Sequence, residues 1–202
     1  MNKMGELLNE YGKRKEIIKL RLEDFKKIKS DDLFYELCFC LLTPQSRAKQ
    51  CWNSVLALKA RNFYENNLDP VKYIEGVRFQ NNKGKYLIEA KQVFLKILGK
   101  INNSASGEEF REWLVENLKG YGLKEASHFL RNIGYRNLAI LDRHILKNLR
   151  KYGVIEEIPK TLTKAKYFEI EKKFKDFSEK IGIDMDELDL LFWSMETGEV
   201  FK

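Results

Sequence analysis

LKGYGLKEASHFL, residues 118–130, contains the turn from which the organisation of the chain can be read. A leucine-bearing helical segment stops at Gly120-Tyr121-Gly122, and a second helix begins at once with Lys124 in its first turn. Backbone N–H groups at a helix start carry partial positive charge, so a structural cation is mildly unfavourable there. The stretch therefore predicts a tight helical hairpin and raises the question of what the lysine does.

The glycine pair of this turn does not fit a dinucleotide-binding loop. Such a loop follows a β-strand and carries a third glycine three residues after the second one. Here the preceding segment, EEFREWLVENL, has helical spacing, and position 125 is Glu. The pattern favours a helix-hairpin-helix over about residues 108–133.

A hairpin of this kind is suited to holding phosphate. Glycine permits a tight turn and exposes backbone N–H groups, which at a helix N-terminus bind phosphate without reading a base sequence. Gly120 and Gly122 are therefore candidate DNA-contacting residues. An ordinary packing hairpin carries the same glycines, so the glycines alone leave both interpretations open.

Lys124 favours a catalytic hairpin over a purely structural one. A lysine is a nucleophile only as the neutral amine, and a helix N-terminus, partial burial and neighbouring cations each favour that form. A position that is unfavourable for a structural cation is thus favourable for a reactive amine. The alternative interpretation is a surface lysine that contacts phosphate.

Eighteen residues after Lys124, Asp142 opens the helical segment DRHILKNL. Its simplest role is that of an N-cap. A carboxylate in the same site would also hold or deprotonate the lysine and stabilise positive charge on a sugar ring. His144 is most simply a helix residue, and its imidazole is also a candidate donor to phosphate.

Hydrophobic residues recur with helical spacing along nearly the whole chain. Leu33, Leu37, Cys40 and Leu41 give the i, i+4, i+7, i+8 pattern of a buried helix face. Because no segment sustains the alternation of a strand, we predict an all-α fold. Further helices are predicted at about 46–58, 83–98, 108–118, 123–133, 142–151, 161–180 and 184–195.

The composition permits a nucleic-acid partner and argues against several other classes. Lys and Arg outnumber Asp and Glu by 37 to 30, for a net charge of +7. The three cysteines, Cys38, Cys40 and Cys51, lack a fourth partner for an iron–sulfur or four-cysteine zinc site, and we expect reduced core residues. With neither an apolar run of membrane-spanning length nor a signal peptide, we expect a cytoplasmic protein.

These motifs together resemble the helix-hairpin-helix DNA glycosylase superfamily. The superfamily pattern L-x-G-x-G-x-K-x-A is followed, after an apolar stretch, by D-x-H, which is Asp142 to His144 here. LLTPQSRAKQ (41–50) resembles its LLS-x-Q segment, and GVRFQNNKGKYLIEA (76–90) its G-x-(Y/F)-x-x-K-A motif, with one extra residue and Gly84 for the alanine. The first pattern is matched by Leu118, Gly120, Gly122, Lys124 and Ala126.

The resemblance implies roles for particular residues. In bifunctional members of the superfamily the lysine, matched by Lys124, attacks C1′ of the damaged nucleotide, and the aspartate, matched by Asp142, is essential. The glutamine matched by Gln45 enters the space left by the flipped base. Phe79 is a candidate contact to the opposite strand, although an aromatic beside a loop is more often a core residue. A monovalent cation at hairpin carbonyls is also implied, and no redox cofactor is needed.

Within the superfamily, the chain looks like the compact archaeal-type (type 2) 8-oxoguanine DNA glycosylase/AP lyases. No cysteine follows residue 51, which departs from the iron–sulfur branch, and the ending WSMETGEVFK (193–202) fits the compact type. In that family a tryptophan and the last lysine, matched by Trp193 and Lys202, help to recognise the base. Packing in the core and a frayed terminus are the ordinary alternatives for these two residues.

The chemistry of the lesion is consistent with such a terminal residue. Guanine N7 is an acceptor, whereas in 8-oxoguanine it is an N–H donor. Discrimination therefore needs an acceptor, because a mismatched donor or acceptor leaves a buried polar group unpaired. The α-carboxylate of Lys202 accepts and cannot donate when ionised.

We accordingly expect two helical domains with the active site in the cleft between them: a central bundle at 31–137, and a second domain built from 1–30 and 138–202. The expected activity is excision of 8-oxoguanine from double-stranded DNA by a prokaryotic monomer, through a lysine Schiff base, with strand cleavage by β-elimination. The same chemistry on another lesion and a non-catalytic helix-hairpin-helix DNA-binding module stay open as alternatives.

Overall fold

The computed structural model describes residues 3–103 and 105–202, and their regular secondary structure is entirely helical. This confirms the predicted all-α class. The predicted segments correspond to observed helices, including the expected N-terminal helix, and a 3₁₀ helix (Pro70–Tyr73) is added to them. Within the described residues the α-helices are α1 (Lys3–Lys26), α2 (Ser30–Leu42), α3 (Ala48–Lys59), α4 (Gln80–Asn102), α5 (Gly107–Asn117), α6 (Leu123–Asn132), α7 (Arg143–Lys151), α8 (Lys164–Ile181) and α9 (Met185–Thr197).

The chain divides into two compact units, called here the hairpin unit and the terminal unit. The hairpin unit is Ile28–Phe129, and the terminal unit joins the N-terminal segment, through Lys27, to Leu130–Lys202. The second border falls inside α6 rather than at the predicted residue 137. One physical reason is that Arg131, near the end of α6, forms a buried ion pair with Asp189 of α9.

The hairpin unit is built around α2. Every residue of this helix from Phe34 to Leu42 is buried, and α2 packs against both α3 and α4. Apart from Glu36 and the hydroxyl of Tyr35, this stretch is apolar, and a helix that is apolar on most sides is stable only when neighbours cover it. Each fully buried Leu or Phe contributes about 2 kcal/mol relative to an exposed one. The loop that follows α2 is therefore anchored at a well-packed point.

The terminal unit is built around α9 in the same way. Helices α1, α7 and α8 all pack against α9, whose residues from Met185 to Phe192 are buried. The ring of Phe192 stacks on Tyr152 and on Phe174 at centroid distances of 5.6 and 6.0 Å. The next residue, Trp193, is only half-buried. The core thus holds α9 in place while its tryptophan stays accessible.

The three cysteines are free and buried, as the sequence predicts. Burial raises the pKa of Cys51 to about 11 and that of Cys38 further still. Both thiols are therefore protonated at neutral pH. Among the residues that the structure describes, no group of three or more His, Cys, Asp or Glu side chains is placed to hold a metal ion.

Over residues 3–103 and 105–202, no helix combines the length and the apolar character needed to cross a bilayer.

Candidate active site

The hairpin turn needs glycine at position 120 for two reasons. Gly120 has a φ of +85°, a conformation that other residues rarely adopt. A Cβ at this position would also lie 2.6 Å from Cδ2 of Tyr86. The following residue, Tyr121, is buried and donates its hydroxyl to the carbonyl of Leu37 at 2.8 Å, so the turn is fastened to α2.

Lys124 lies in the first turn of α6, as predicted, but a carboxylate accompanies it. Its Nζ is 2.7 Å from Oε1 of Glu125, and its side chain is 26% exposed. The other carboxylate oxygen, Oε2, accepts the N–H of Gly122 at 3.2 Å. Three influences on the amine are expected from the sequence, namely the helix N-terminus, partial burial and neighbouring cations, and each of them favours the neutral form. That expectation was incomplete, because an adjacent negative charge acts in the opposite sense.

Glu125 is a functional candidate that the sequence interpretation missed. Gly122 precedes α6 as its N-cap residue, and Glu125 occupies the third helical position. This is the position from which a capping-box glutamate reaches back to the N-cap N–H. The capping spacing was therefore a usable signal, whereas the contact with Lys124 was not encoded in any spacing rule.

A second lysine lies behind the first in the hairpin unit. Lys83 of α4 is 4% exposed, and its Nζ donates to the carbonyls of Leu42 and Pro44, both at 2.7 Å, and to Oγ of Ser46 at 3.2 Å. Burial, with the charge of Lys124 as a smaller cause, lowers the pKa of Lys83 to about 8. Lys83 thus closes the carbonyl end of α2, where a cation is favourable.

The loops that carry Gln45 and Phe79 are tied together. The N–H of Arg78 donates to Oγ of Ser46 at 3.0 Å, and Nε2 of Gln50 donates to the carbonyl of Glu75 at 2.6 Å. Both Gln45 and Phe79 are exposed, and Phe79 is 56% exposed rather than part of the core. Their backbones have φ values of 55° and 60°. Strained residues of this kind cluster at functional sites.

An open groove of about 530 Å³ runs between these loops. It presents amide, guanidinium and backbone groups, a set that suits the phosphates and base edges of a nucleic acid. The residues that line it are Gln45, Ser46, Arg47, Gln50, Glu75, Gly76 and Arg78.

Gly84, the departure from the family pattern at this helix, has a local explanation. A Cβ on Gly84 would lie 2.5 Å from Cγ2 of Val71 in the 3₁₀ helix. The absence of a side chain therefore lets α4 approach the 3₁₀ helix closely, next to the buried Lys83. An alanine here would require Val71 to move.

In the terminal unit, Asp142 is the N-cap of α7. Its Oδ1 accepts the N–H groups of His144 and Ile145, both at 2.8 Å. His144 is 22% exposed, and its Nδ1 lies 3.9 Å from Oε2 of Glu196. A hydrogen bond from Lys147 is the main cause that lowers the pKa of Glu196. The structure thus shows the N-cap role of Asp142 and a carboxylate, not foreseen from sequence, beside His144.

The C-terminal tail folds back onto α9. The ring of Phe201 stacks on Trp193, with centroids 6.3 Å apart and planes 30° apart. Lys202 is half-buried, as is Val200. Phe201 is a second residue that sequence interpretation missed, because a residue near a chain end is normally taken as frayed.

Comparison with known proteins places this arrangement in a family. The model of a family described as 8-oxoguanine DNA glycosylase matches residues 18–183. The chain belongs to the 8-oxoguanine DNA glycosylase family. It is 45% identical to the 8-oxoguanine DNA glycosylase/AP lyase of Fusobacterium nucleatum, over 99% of this chain and all of the relative.

Two solved structures of family members are similar over nearly the whole chain. The 8-oxoguanine glycosylase/lyase of Methanocaldococcus jannaschii, in complex with a 15mer DNA containing 8-oxoguanine, has a TM-score of 0.84 and 36% identity, covering 98% of this chain and 100% of that one. The 8-oxoguanine DNA glycosylase of Thermotoga maritima has a TM-score of 0.86 and 32% identity, with 98% coverage of both chains.

The predicted site residues are divided between the two units of the chain. Lys124, both hairpin glycines, Gln45 and Phe79 belong to the hairpin unit. Asp142, His144, Trp193 and Lys202 belong to the terminal unit. Each unit therefore contributes its own group of candidate residues, and the roles expected for them stay predictions.

Proposed function

We propose that this chain is a bifunctional DNA glycosylase and AP lyase that excises 8-oxoguanine from duplex DNA. The observation that carries the proposal is the partly exposed amine of Lys124 at the start of α6, directly after a glycine turn. It is supported by the 45% identity, over 99% of this chain, to a protein named 8-oxoguanine DNA glycosylase/AP lyase. The related glycosylase/lyase from M. jannaschii, solved in complex with DNA containing 8-oxoguanine, supports the same substrate.

The proposed reaction begins with extrusion of the damaged nucleotide from the duplex. The neutral amine of Lys124 attacks C1′, and the N9–C1′ bond breaks as the new N–C1′ bond forms. Asp142 supports the amine and the positive charge that develops on the sugar. The sugar ring then opens to a protonated Schiff base. No electron acceptor is required, so we propose no redox cofactor.

Strand cleavage follows from the Schiff base. Loss of a proton from C2′ pushes electrons toward C3′, and the C3′–O bond breaks to release the 3′ side of the strand. Backbone amides around Gly120 to Gly122, other than the N–H of Gly122 that donates to Glu125, hold phosphate together with His144. Gln45 fills the gap in the duplex. Phe79 contacts the opposite strand.

Recognition of the base is assigned to the C-terminal segment. Trp193 offers a half-exposed aromatic face on which an extruded base stacks. The α-carboxylate of Lys202 accepts the N7–H that 8-oxoguanine has and guanine lacks. The stacking of Phe201 on Trp193 supports this assignment, since it brings the tail to the proposed platform.

The direct test is borohydride trapping on a duplex that contains 8-oxoguanine. Wild-type protein is expected to form a covalent adduct and to cleave the strand, and Lys124→Gln is expected to do neither. Lys119→Gln is the matched control, because Lys119 is an exposed lysine of the same hairpin that pairs with Glu89. Failure of the wild type to trap, or trapping by Lys124→Gln, would contradict the proposed mechanism.

Substrate identity needs a separate experiment. A panel of duplexes with oxidised pyrimidines, mismatches and 8-oxoguanine is expected to show preferential excision of 8-oxoguanine. Residues appended after Lys202 are expected to impair that excision and to spare cleavage of preformed abasic sites. Equal activity of extended and native protein on both substrates would remove the terminal carboxylate from base recognition.

We also propose that the protein works as a monomer in the cytoplasm of a prokaryotic cell. The support for the prokaryotic assignment is that relatives matched over nearly their whole length occur in a bacterium and an archaeon. Light scattering with and without duplex DNA measures the oligomeric state directly.

A further inference from the structure

Glu125 contacts both the Lys124 amine and the backbone of the glycine turn. Its Oε1 lies 2.7 Å from Nζ of Lys124, and its Oε2 accepts the N–H of Gly122 at 3.2 Å. The Glu125 side chain is 11% exposed. A largely buried carboxylate thus lies between the proposed nucleophile and an amide of the glycine turn.

This contact is not a by-product of helix geometry. Consecutive residues of an α-helix point about 100° apart and do not face each other, so ion pairs normally form at i+3 or i+4. The capping-box arrangement explains why Oε2 reaches Gly122, but it makes no use of Oε1. Oε1 is instead paired with Nζ of Lys124 at 2.7 Å.

We propose that Glu125 is a catalytic residue that holds the Lys124 amine against the hairpin and sets the pH at which that amine becomes a nucleophile. The inference rests on the proposed function of Lys124. An ammonium beside a carboxylate is stabilised, so the negative charge of Glu125 opposes loss of the proton that the amine must release before it attacks C1′. In return, the ion pair at 2.7 Å holds Nζ beside the turn.

Other groups of the hairpin unit act on the same amine. Lys83 of α4 is a buried cation whose charge interacts with that of Lys124, and Cys51 of α3 lies within the field of both lysines. The Cys51 thiol stays neutral at neutral pH because burial raises its pKa to about 11. Substitution of Glu125 leaves both of these groups in place, so the variant tests the contact between Glu125 and Lys124 itself.

The test follows the rate of Schiff-base trapping under single-turnover conditions, on a preformed abasic-site duplex, from pH 5 to pH 10. Glu125→Gln removes the charge but keeps an acceptor for the amine. We expect the rising limb of its pH–rate profile to move down by about one pH unit, with a plateau within threefold of the wild type. Glu125→Ala also removes the oxygen that lies beside Nζ, so we expect the same shift with a plateau about tenfold lower.

Glu116→Gln is the matched control, since Glu116 is an exposed carboxylate of α5, on the other arm of the hairpin. It changes the net charge equally and is expected to leave the profile unmoved. Binding to a duplex with a tetrahydrofuran abasic analogue should stay within twofold for Glu125→Gln. A merely structural cap would lower stability and all rates together without moving the profile. If Glu125→Ala fails to fold, Glu125→Gln carries the test alone.

A second readout does not depend on turnover. Lysines reductively methylated with ¹³C are titrated by NMR, and the Lys124 signal is assigned by its loss in Lys124→Arg. Its midpoint should fall by about one pH unit in Glu125→Gln. If Glu125→Gln changes neither the NMR midpoint of Lys124 nor the pH–rate profile, while trapping still depends on Lys124, this inference is overturned and the proposed function is left intact. No adduct with wild type would overturn the proposed function, and the NMR midpoint would then decide the Glu125 interaction.

Discussion

Gln45 and Phe79 keep left-handed backbones although neither is glycine. That conformation costs a non-glycine residue about 1 kcal/mol, and surrounding structure has to sustain it. Here the surrounding structure is the hydrogen-bonded link from Ser46 to Arg78 and the clamp from Lys83. The cost is understandable if it aims two exposed side chains at one ligand.

Replacement of Gln45 by glycine separates folding from DNA binding. Glycine relieves the strain but adds chain entropy to the unfolded state, so we expect the free energy of unfolding to change by less than about 1 kcal/mol. Affinity for a duplex with an abasic-site analogue should fall about tenfold, because the side chain that fills the gap is gone. Unfolding in urea and fluorescence anisotropy measure the two quantities.

The control for this substitution is Asn62→Gly. Asn62 is exposed, belongs to the same unit and has a φ of 49°, close to that of Gln45. Glycine there should change neither stability nor affinity appreciably. Equal loss of affinity in both variants would mean that Gln45 acts only through backbone rigidity.

At the level of elements, Lys83 joins the end of α2 to the start of α4. Its folded-state pKa of about 8 lies below the ordinary value of 10.5, so the unfolded chain binds more protons between these pH values. Stability contributed by this residue therefore rises with pH across that window. Relative to Lys83→Met, we expect the wild type to gain on the order of 2 kcal/mol in unfolding free energy from pH 8 to 10.5.

The measurement is urea unfolding at several pH values. Buried thiols titrate in the same window when the chain unfolds, so only the difference between variant and wild type is informative. Lys85→Met, which replaces an exposed lysine two residues further along α4, is the control and should show no such difference. If the unfolding free energies of the wild type and Lys83→Met change with pH in parallel, the amine of Lys83 is not desolvated in the folded protein.

The buried pair of Arg131 and Asp189 offers a second element-level prediction. Both side chains are nearly inaccessible, and burial raises the pKa of Asp189 while the Arg131 charge opposes the rise. Arg131→Met leaves the carboxylate buried without its cation and should cost about 3–5 kcal/mol. The double variant Arg131→Met/Asp189→Leu should recover most of that loss. A double-mutant cycle in urea measures it, and simple additivity would contradict the interpretation.

Helices were predictable from the sequence because their apolar spacing and their ends are local properties. Asp142 shows this well, since an aspartate before an amphipathic segment predicts the N-cap that is observed. Lys83 could not be foreseen, because lysine is ordinarily exposed and its partners lie about 40 residues earlier in the chain. Nor could the Lys124–Glu125 contact, which depends on the rotamer of one side chain.

For the whole molecule, the excess of 37 basic over 30 acidic residues matters less than where the cations lie. Exposed Arg47 and Arg78 flank the groove beside Gln45 and Phe79. A cation that neutralises a phosphate releases a counterion, so the logarithm of affinity falls with the logarithm of salt concentration by about 0.9 per contact. Cations elsewhere contribute to net charge without contributing to that slope.

Two double variants with equal net charge separate the cations of the groove from cations elsewhere. Arg47→Gln/Arg78→Gln should reduce the salt slope for undamaged duplex by about 2, one unit for each lost phosphate contact. Lys172→Gln/Lys175→Gln, which removes two exposed lysines of α8, should leave the slope unchanged. Anisotropy titrations from about 50 to 200 mM salt give the slopes. If both double variants reduce the salt slope equally, affinity depends on net charge alone. The groove is then not the place where the duplex backbone binds.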